Sequence, residues 1–350
     1  MAVSERSATS FTSPQQFLRE SEAMSSVAAI LDYFVLYRYS LILALAAAAG
    51  ICYFMACCSY LEIPSHRCAA VALVTVLLSL PLSRLIYWYG RADSFSSFSQ
   101  ALMAPYTEAF ALPGVMVSAI LSVLAMGRQD ERTKMLDCMS VAGCASLFLG
   151  RLGYFFSEKD RGQVMLHFTS LPWSYPVANG SGHLEYRFAT FLFQALAAAV
   201  LGILLAIVFF RKKTRHGDTA ILFVLFYSAF QIILDSTRYD PLSLPSNGFV
   251  SIVQVLSAIA LVSVILLLNI RSVKILGFKK WMVPLWIFLV SLFAGVGYME
   301  YYVQRHGRHA VFAYSAMGIY LAAIVDIGLL LWYLTQPHAT KHQQKQRPAR

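Results

Sequence analysis

The sequence predicts an all-α integral membrane protein that crosses the bilayer about nine times. Hydrophobic residues make up 58% of the 350 residues and charged residues only 13%, whereas a soluble domain carries roughly 25% charge. The mean hydropathy is +0.60. Apolar runs of roughly 17–25 residues, the length that spans a hydrocarbon core, recur along the chain. A large soluble domain is therefore disfavoured.

Nine membrane-spanning helices are predicted, at residues 34–57, 69–89, 111–127, 138–156, 188–210, 219–236, 249–270, 281–303 and 311–335. Residues 1–33 are Ser-rich, charged and weakly hydrophobic, so they are predicted to form a polar tail or a surface-lying helix rather than a cleavable signal. The six cysteines show neither metal-ligand spacing nor a disulfide framework. No metal and no cofactor is predicted.

The orientation follows from the basic residues in short loops. Lys and Arg cluster after the third, fifth and seventh spans and in the tail "KHQQKQRPAR". Because such residues favour the cytoplasmic side, the N terminus is expected outside and the C terminus in the cytoplasm. The loop with Arg305 and Arg308 then lies outside, as an exception. Topology thus explains the net charge of +10, and no nucleic-acid partner is predicted.

Four arginines from different spans are expected at a similar depth, near the outer headgroups: Arg38, Arg84, Arg151 and Arg238. Acidic residues assigned to the same level are Glu108, Glu158 and Asp235. An arginine inside a membrane costs at least about 2.5–3.5 kcal/mol, so it normally faces the protein interior and has a partner. Each could snorkel to the interface or close a structural ion pair. Together they predict a single outward-facing pocket for a phospholipid phosphate, because a guanidinium matches phosphate oxygens.

Several motifs, in chain order, resemble those of the prolipoprotein diacylglyceryl transferase family. The segment "GRLGYFFSEKDRG" (150–162) is similar to the family signature G-R-[IL]-G-N-F-x-N-G-E-x-x-G. The first helix "FVLYRYS" (34–40), "SRLIYWY" (83–89), the stretch "HGDTAILFVLFYSAFQIILDSTRYDP" (216–241) and "SIVQVLS" (251–257) resemble further family motifs. The resemblance covers roughly residues 34–270.

The resemblance implies a seven-helix transferase-like core over 34–270, with an outer-face loop region at 157–187, in the bacterial cytoplasmic membrane. The implied reaction moves a diacylglyceryl group from phosphatidylglycerol to the lipobox cysteine of a prolipoprotein and releases glycerol phosphate. The implied catalytic residues are Arg151, Glu158 and Asp235, with Glu158, Asp235 or water taking the thiol proton. The implied substrate-binding residues are Arg84, Arg238, Tyr37, Arg38, Tyr227, Gln231 and Tyr154.

The chain departs from the family pattern at several site positions. Tyr154 replaces the signature Asn, and Lys159 stands where the signature has Glu. In the sixth-helix motif Gln231 replaces the first Arg, and in the fifth helix Gln194 stands over a Glu. Pro113 lies nearest the third-helix histidine. These departures keep a second interpretation open, in which the chain is a catalytically altered relative that binds phospholipid or acts on another lipid or acceptor.

Residues 271–350 extend beyond the resemblance and are expected to add a transmembrane hairpin and a basic cytoplasmic tail. Two acids lie within its spans, Glu300 in "GYMEYY" and Asp326 in "AAIVDIGLLL". A lone intramembrane Asp indicates a partner helix or an internal polar contact, either structural or functional.

Overall fold

The computed structural model describes residues 14–103, 111–157, 161–165, 173–178, 181–211, 214–239, 241–245, 250–305 and 310–336, with side chains from Tyr37 onward. Glu108, Glu158 and Lys159, which the sequence analysis singled out, lie outside these ranges. The helices are α1 (Pro14–Tyr60), α2 (Ser65–Gly90), α3 (Phe98–Met103), α4 (Leu112–Met126), α5 (Arg132–Leu152), α6 (Thr190–Phe210), α7 (Asp218–Ser236), α8 (Ile252–Leu276), α9 (Met282–Arg305) and α10 (Ala310–Leu334).

The polytopic helical architecture is confirmed, because eight of the described helices are long and apolar enough to span a membrane. The ninth predicted run, 111–127, forms α4, whose 15 residues extend only about 22 Å. The first helix is longer than expected: α1 starts at Pro14 and continues without a break into the apolar segment Tyr37–Tyr60. Residues 14–33, predicted as part of a polar tail or a surface-lying helix, are therefore helical.

The short helix α4 packs closely on α2, which explains how it is held. Pro113 lies in the first turn of α4, where a missing N–H costs nothing. A Cβ on Gly114 would come within 2.4 Å of the backbone nitrogen of Ser83. The two helix backbones can therefore approach only because position 114 has no side chain, and this approach fixes the helix turn that carries Arg84.

One end of the bundle, here called the basic end, is where α5 and α7 begin and α8 and α10 end. Asp137 accepts hydrogen bonds from the backbone N–H groups of Gly217 (2.6 Å) and Ala220 (2.9 Å). Gly217 has a φ of +94°, a left-handed conformation that glycine adopts without strain. Buried Asp218 accepts from Arg271 at 2.5 Å and from Gln336 at 2.7 Å. Four helices are thus joined by polar contacts.

The opposite end, here called the cavity end, is where α5, α7 and α9 end and α6, α8 and α10 begin. Two short antiparallel strands lie there, β1 (Ser174–Ala178) and β2 (Leu184–Phe188). The segment 161–165 bridges β2 and the residues after α7, because Val164 pairs with Arg187 and Gly162 pairs with Arg238. This small cap lies next to the residues that the signature motif contributes.

The C-terminal hairpin, α9 and α10, packs against α7 and α8 and shares one apolar core with them. Trp286 of α9 donates a hydrogen bond to Asn269 of α8 at 2.8 Å. At the cavity end, the hydroxyl of Tyr314 in α10 donates to the carbonyl of Ser236 in α7 at 3.0 Å. Of the two alternatives for Asp326, the exposed position of this residue on α10 disfavours an internal polar contact, and a partner helix stays a prediction.

Candidate functional site

A narrow crevice at the cavity end lies between α5, α6 and α7. Its polar lining consists of Arg151, Gln194, Tyr227 and Gln231, and the rest is apolar. The crevice encloses about 10 Å³, which is room for a single water molecule. Polar side chains between apolar helices are costly unless they have partners. Their convergence therefore indicates a place for a small polar group or a water molecule.

Two of these side chains have polar atoms without a partner among the described residues. Gln194 is 5% exposed, and neither its amide nitrogen nor its amide oxygen makes a hydrogen bond. Gln231 is 3% exposed, and its amide nitrogen also lacks an acceptor. Buried polar atoms are nearly always hydrogen-bonded in folded proteins, so these amides are available to a ligand.

Arg151 occupies the last turn of α5 and is 9% exposed. Its guanidinium lies near the hydroxyl of Tyr227 and 5.6 Å from the ring centre of Tyr154. Tyr154 in turn packs on Tyr39 of α1, with ring centres 5.2 Å apart. The tyrosine that replaces the signature asparagine therefore contributes an aromatic contact between α1 and the arginine.

A second and larger cavity, here called the polar cavity, adjoins the end of α7. It encloses about 280 Å³ and is lined mainly by polar groups. Its lining includes Arg91, Gln163, Asp235, Ser236, Arg238, Tyr239, Gln254, Glu300 and Gln304. The end of α7 borders both spaces, because it supplies Gln231 to the crevice and Asp235, one turn later, to the polar cavity.

Asp235 organises the wall of the polar cavity. Its side chain is fully buried and accepts a hydrogen bond from Arg238 at 3.1 Å and another from the hydroxyl of Ser251. Ser251 is the N-cap of α8 and forms a capping box with Gln254, whose side chain reaches the carbonyl of Ile232 at 3.2 Å. Such a cap fixes the start of α8 against α7 and holds the carboxylate in place.

The signature segment runs directly beside Arg238. The amide of Gly162 donates to the carbonyl of Phe188 at 2.6 Å, and a Cβ at position 162 would lie 2.7 Å from the Cβ of Phe188. Only glycine allows this approach. Arg161, just before it, is 4% exposed, and its guanidinium lies 3.9 Å from the ring centre of Tyr175.

The predicted site residues share one end of the bundle, where they line two adjoining spaces. Arg151, Tyr227 and Gln231 line the crevice, whereas Asp235 and Arg238 line the polar cavity. Arg84, 5% exposed, donates to the carbonyl of Ala101 at 3.2 Å. Arg38 lies 4.8 Å from the ring centre of Phe156, and Tyr37 is exposed. The described site residues thus line two adjoining spaces at one end of the bundle, and a common phosphate pocket stays a prediction.

Sequence reasoning missed three contributors to this end of the molecule. Arg91 and Glu300 line the polar cavity, and Arg187 of β2 stacks on Tyr239 at 3.7 Å. Glu300 was visible as an acid inside an apolar run, but its position along α9 does not reveal which helix it faces. Arg91 and Arg187 lie in interfacial sequence, where arginines are ordinary.

Comparison with known proteins identifies the family. The family model of prolipoprotein diacylglyceryl transferase matches residues 26–270. The chain belongs to this family. Relatives named phosphatidylglycerol–prolipoprotein diacylglyceryl transferase include one from Acaryochloris marina, 25% identical over 231 residues (64% of this chain, 82% of the relative). Another, from Synechococcus elongatus, is 26% identical over 274 residues (75% and 89%).

A third relative of the same name, from Shouchella clausii, is 24% identical over 241 residues, or 65% of this chain and 84% of the relative. The family match ends at residue 270, close to the end of α8. The crevice residues and the Asp235–Arg238 pair therefore lie inside the family region, and α9 and α10 lie beyond it.

Proposed function

We propose that this bacterial multi-pass membrane enzyme transfers a diacylglyceryl group from phosphatidylglycerol to the lipobox cysteine of a prolipoprotein. The family match over residues 26–270 supports the reaction. The assignment of the site rests on one observation. Arg151, a signature residue, is buried in a crevice together with further polar side chains. A guanidinium held in such a place suits an anionic ligand, and a phospholipid phosphate supplies one.

The chemistry requires charge stabilisation on the leaving phosphate. The cysteine sulfur, as thiolate, attacks the glyceryl carbon and forms a thioether bond, while the bond from that carbon to the phosphate oxygen breaks. Glycerol phosphate leaves with the electron pair. Fixed cations next to the phosphate lower this barrier, because they act where negative charge develops. We assign this role to Arg151 and Arg238, with Arg84 and Arg38 as further binding residues at the same end.

Proton removal from the thiol is assigned to Glu158, to Asp235 or to water. Asp235 is held by Arg238 and Ser251, so its carboxylate is already engaged. Tyr37, Tyr154, Tyr227 and Gln231 complete the proposed binding set. Tyr227 and Gln231 line the crevice, and Tyr154 contacts Arg151.

We place the cavity end at the outer face of the cytoplasmic membrane, with the N terminus outside and the C terminus in the cytoplasm. Lys274, Lys279 and Lys280 belong to the basic end, which favours a cytoplasmic position for that end. The proposed functional unit is the core 34–270, with residues 271–350 as an added hairpin and tail.

A transfer assay tests the proposal. The purified full chain is mixed with phosphatidylglycerol vesicles and a lipobox peptide, and the peptide is examined by mass spectrometry. A diacylglyceryl thioether product supports the proposal. No product, under conditions in which the Synechococcus relative forms it, rejects the proposal.

A second candidate function is favoured by one observation. The family pattern has Glu and Arg where this crevice has Gln194 and Gln231, so two charges of opposite sign are absent together. A crevice that lost both charges could still bind phospholipid without turning it over, or could serve another lipid or acceptor. This alternative predicts phosphatidylglycerol binding that weakens in Arg151→Ala, with no thioether product.

A further inference from the structure

The polar cavity is completed by the hairpin that lies beyond the family match. Glu300 and Gln304, on successive turns of α9, line it opposite Asp235 and Arg238. The family region contributes the rest of the wall. The cavity therefore exists in this form only because the hairpin docks on the core, with α10 packed against α7 and α8 and against α9.

The surroundings of Glu300 suit a ligand-binding residue rather than a member of a structural ion pair. Its side chain is 7% exposed, and one carboxylate oxygen accepts from Gln304 at 3.3 Å. The other oxygen is buried and has no partner among the described residues. An unpaired buried carboxylate oxygen costs more than a neutral one, so a hydrogen-bond donor is expected to occupy the cavity.

The neighbouring helix holds the hairpin on the core close to Glu300. Tyr314 of α10 lies near Glu300 and donates to the carbonyl of Ser236 at the end of α7. This contact holds the hairpin on the core at the level of the polar cavity. A buried acid on a docked helix is preorganised, and preorganisation reduces the cost of binding.

The charged residues that line the polar cavity indicate which chemical groups it can bind. Arg91 and Arg238 lie on its lining and suit a phosphate, while Glu300 lies on the α9 wall and suits a donor. We propose that Glu300 is a headgroup-binding residue whose carboxylate accepts a hydrogen bond from a hydroxyl or ammonium group on a phospholipid headgroup. The inference rests on the proposed function, because it assigns this cavity to the donor lipid. It adds a specificity residue from outside the family region.

A binding experiment with matched lipids tests the role of Glu300. Purified full-length protein is titrated, with native mass spectrometry as the readout, with three lipids of equal acyl chains. Phosphatidylglycerol offers hydroxyl donors, phosphatidylethanolamine offers an ammonium, and phosphatidylmethanol offers a phosphate without a headgroup donor. We expect at least one of the first two to bind roughly tenfold more tightly than phosphatidylmethanol. Which of them binds more tightly identifies the donor group.

The variants Glu300→Gln and Glu300→Leu separate charge from hydrogen-bond acceptance. Glu300→Gln keeps the shape and is expected to reduce the preference over phosphatidylmethanol several-fold, because charged hydrogen bonds are about twice as strong as neutral ones. Glu300→Leu is expected to abolish the preference. The matched control is Asp326→Asn, an exposed acid of the same hairpin, which should leave the preference unchanged.

The outcomes distinguish this inference from the proposed function. A preference that persists in Glu300→Gln and Glu300→Leu overturns the inference even when the wild-type chain forms thioether product. Equal binding of all three lipids by the wild-type protein overturns it as well. If the wild-type chain forms no product but loses its preference on substitution of Glu300, the headgroup role stands and the transferase proposal fails.

Discussion

Among single residues, Arg151 carries the most information, because its charge is permanent and its side chain is 9% exposed at the end of an apolar helix. Tyr227 and Tyr154 lie next to it and hold the guanidinium at the crevice. A fixed cation in this position suits the phosphate of a lipid.

Replacing Arg151 by Lys tests whether the planar guanidinium is needed. Lysine keeps the charge but loses the two-pronged donor set that matches phosphate oxygens. We expect thioether formation to fall roughly 10–100-fold in Arg151→Lys and further in Arg151→Ala, as measured by the initial rate of peptide lipidation. Arg67→Lys is the matched control, because Arg67 pairs with Glu131 at the basic end. Equal rates for Arg151→Lys and wild type would remove Arg151 from the mechanism.

The two glutamines in the crevice give a second prediction about single residues. Gln194 and Gln231 line the same space, and the family pattern has Glu and Arg at these positions. Gln231→Arg alone places a second cation in the crevice that holds Arg151, which is strongly destabilising, whereas Gln194→Glu alone places an anion there with Arg151 as its one cationic neighbour in the lining. The double variant restores opposite charges, so we expect a favourable coupling of at least about 1 kcal/mol in a double-mutant cycle of unfolding free energy. Additive effects would show that the two side chains do not interact.

The sequence could predict which arginines are unusual, but not which space each one lines. Arg151 and Arg238 were both assigned to one pocket because helix ends at one depth look equivalent in sequence. The two spaces meet at the end of α7, where Gln231 borders the crevice and Asp235, one turn later on the same helix face, borders the polar cavity. Which face of α7 is turned toward them depends on the rotation of the helix. Helix rotation is set by packing against neighbours, and an apolar helix in lipid has little periodicity to reveal it.

Among the elements, α2 and α4 show how a short helix is held within the bundle. The apolar run 111–127 predicted a spanning helix, and its existence could be read from hydropathy alone. Its length of 15 residues could not be read from hydropathy, because the helix start depends on Ala111 and Pro113 and the helix end depends on Gly127. Similarly, the continuous helix from Pro14 to Tyr60 was not expected, since polar residues at its start contribute no hydropathy signal.

Substitution of Gly114 tests the close packing of α4 on α2. An added Cβ would lie 2.4 Å from the Ser83 nitrogen and 2.5 Å from its Cα, so α4 must move away from α2. We expect Gly114→Ala to reduce the free energy of unfolding by about 1–3 kcal/mol. The matched control, Gly143→Ala, has nothing within 4 Å of its new Cβ and should gain up to about 1 kcal/mol through helix propensity. Both are measured by denaturant unfolding in one detergent.

The Gly114 prediction concerns packing, so its failure has a clear meaning. If Gly114→Ala and Gly143→Ala have the same effect on stability, α2 and α4 are not in close backbone contact. Activity is a second readout. Arg84 directly follows Ser83, and we therefore expect lipidation to decline in Gly114→Ala but not in Gly143→Ala.

For the whole molecule, the main feature is the difference between its two ends. The basic end contains a buried network of Asp137, Asp218 and Arg271 that joins helices, and the cavity end contains both spaces and the β-strand cap. The nine-run pattern and the resemblance together predicted the seven-helix core and the hairpin. The sequence did not reveal that the hairpin completes a cavity, because contacts between distant helices leave no local pattern.

The predicted orientation of these two ends in the membrane is testable by cysteine labelling. In a Cys52→Ser background, we expect Ser181→Cys, near the β-strands, to react with a membrane-impermeant maleimide in intact spheroplasts. Lys279→Cys, at the basic end, should react only after the membrane is opened, because the basic residues favour the cytoplasm. The reverse pattern would place the cavities on the cytoplasmic side and contradict the proposed orientation.

Rescue of a bacterial strain depleted of its own prolipoprotein diacylglyceryl transferase tests the central claim most directly. The account predicts that the full chain restores growth and that lipoproteins from the rescued cells carry a diacylglyceryl thioether, whereas equally expressed Arg151→Ala restores neither. Normal membrane expression of the wild-type chain without growth or lipidated product would contradict the claim.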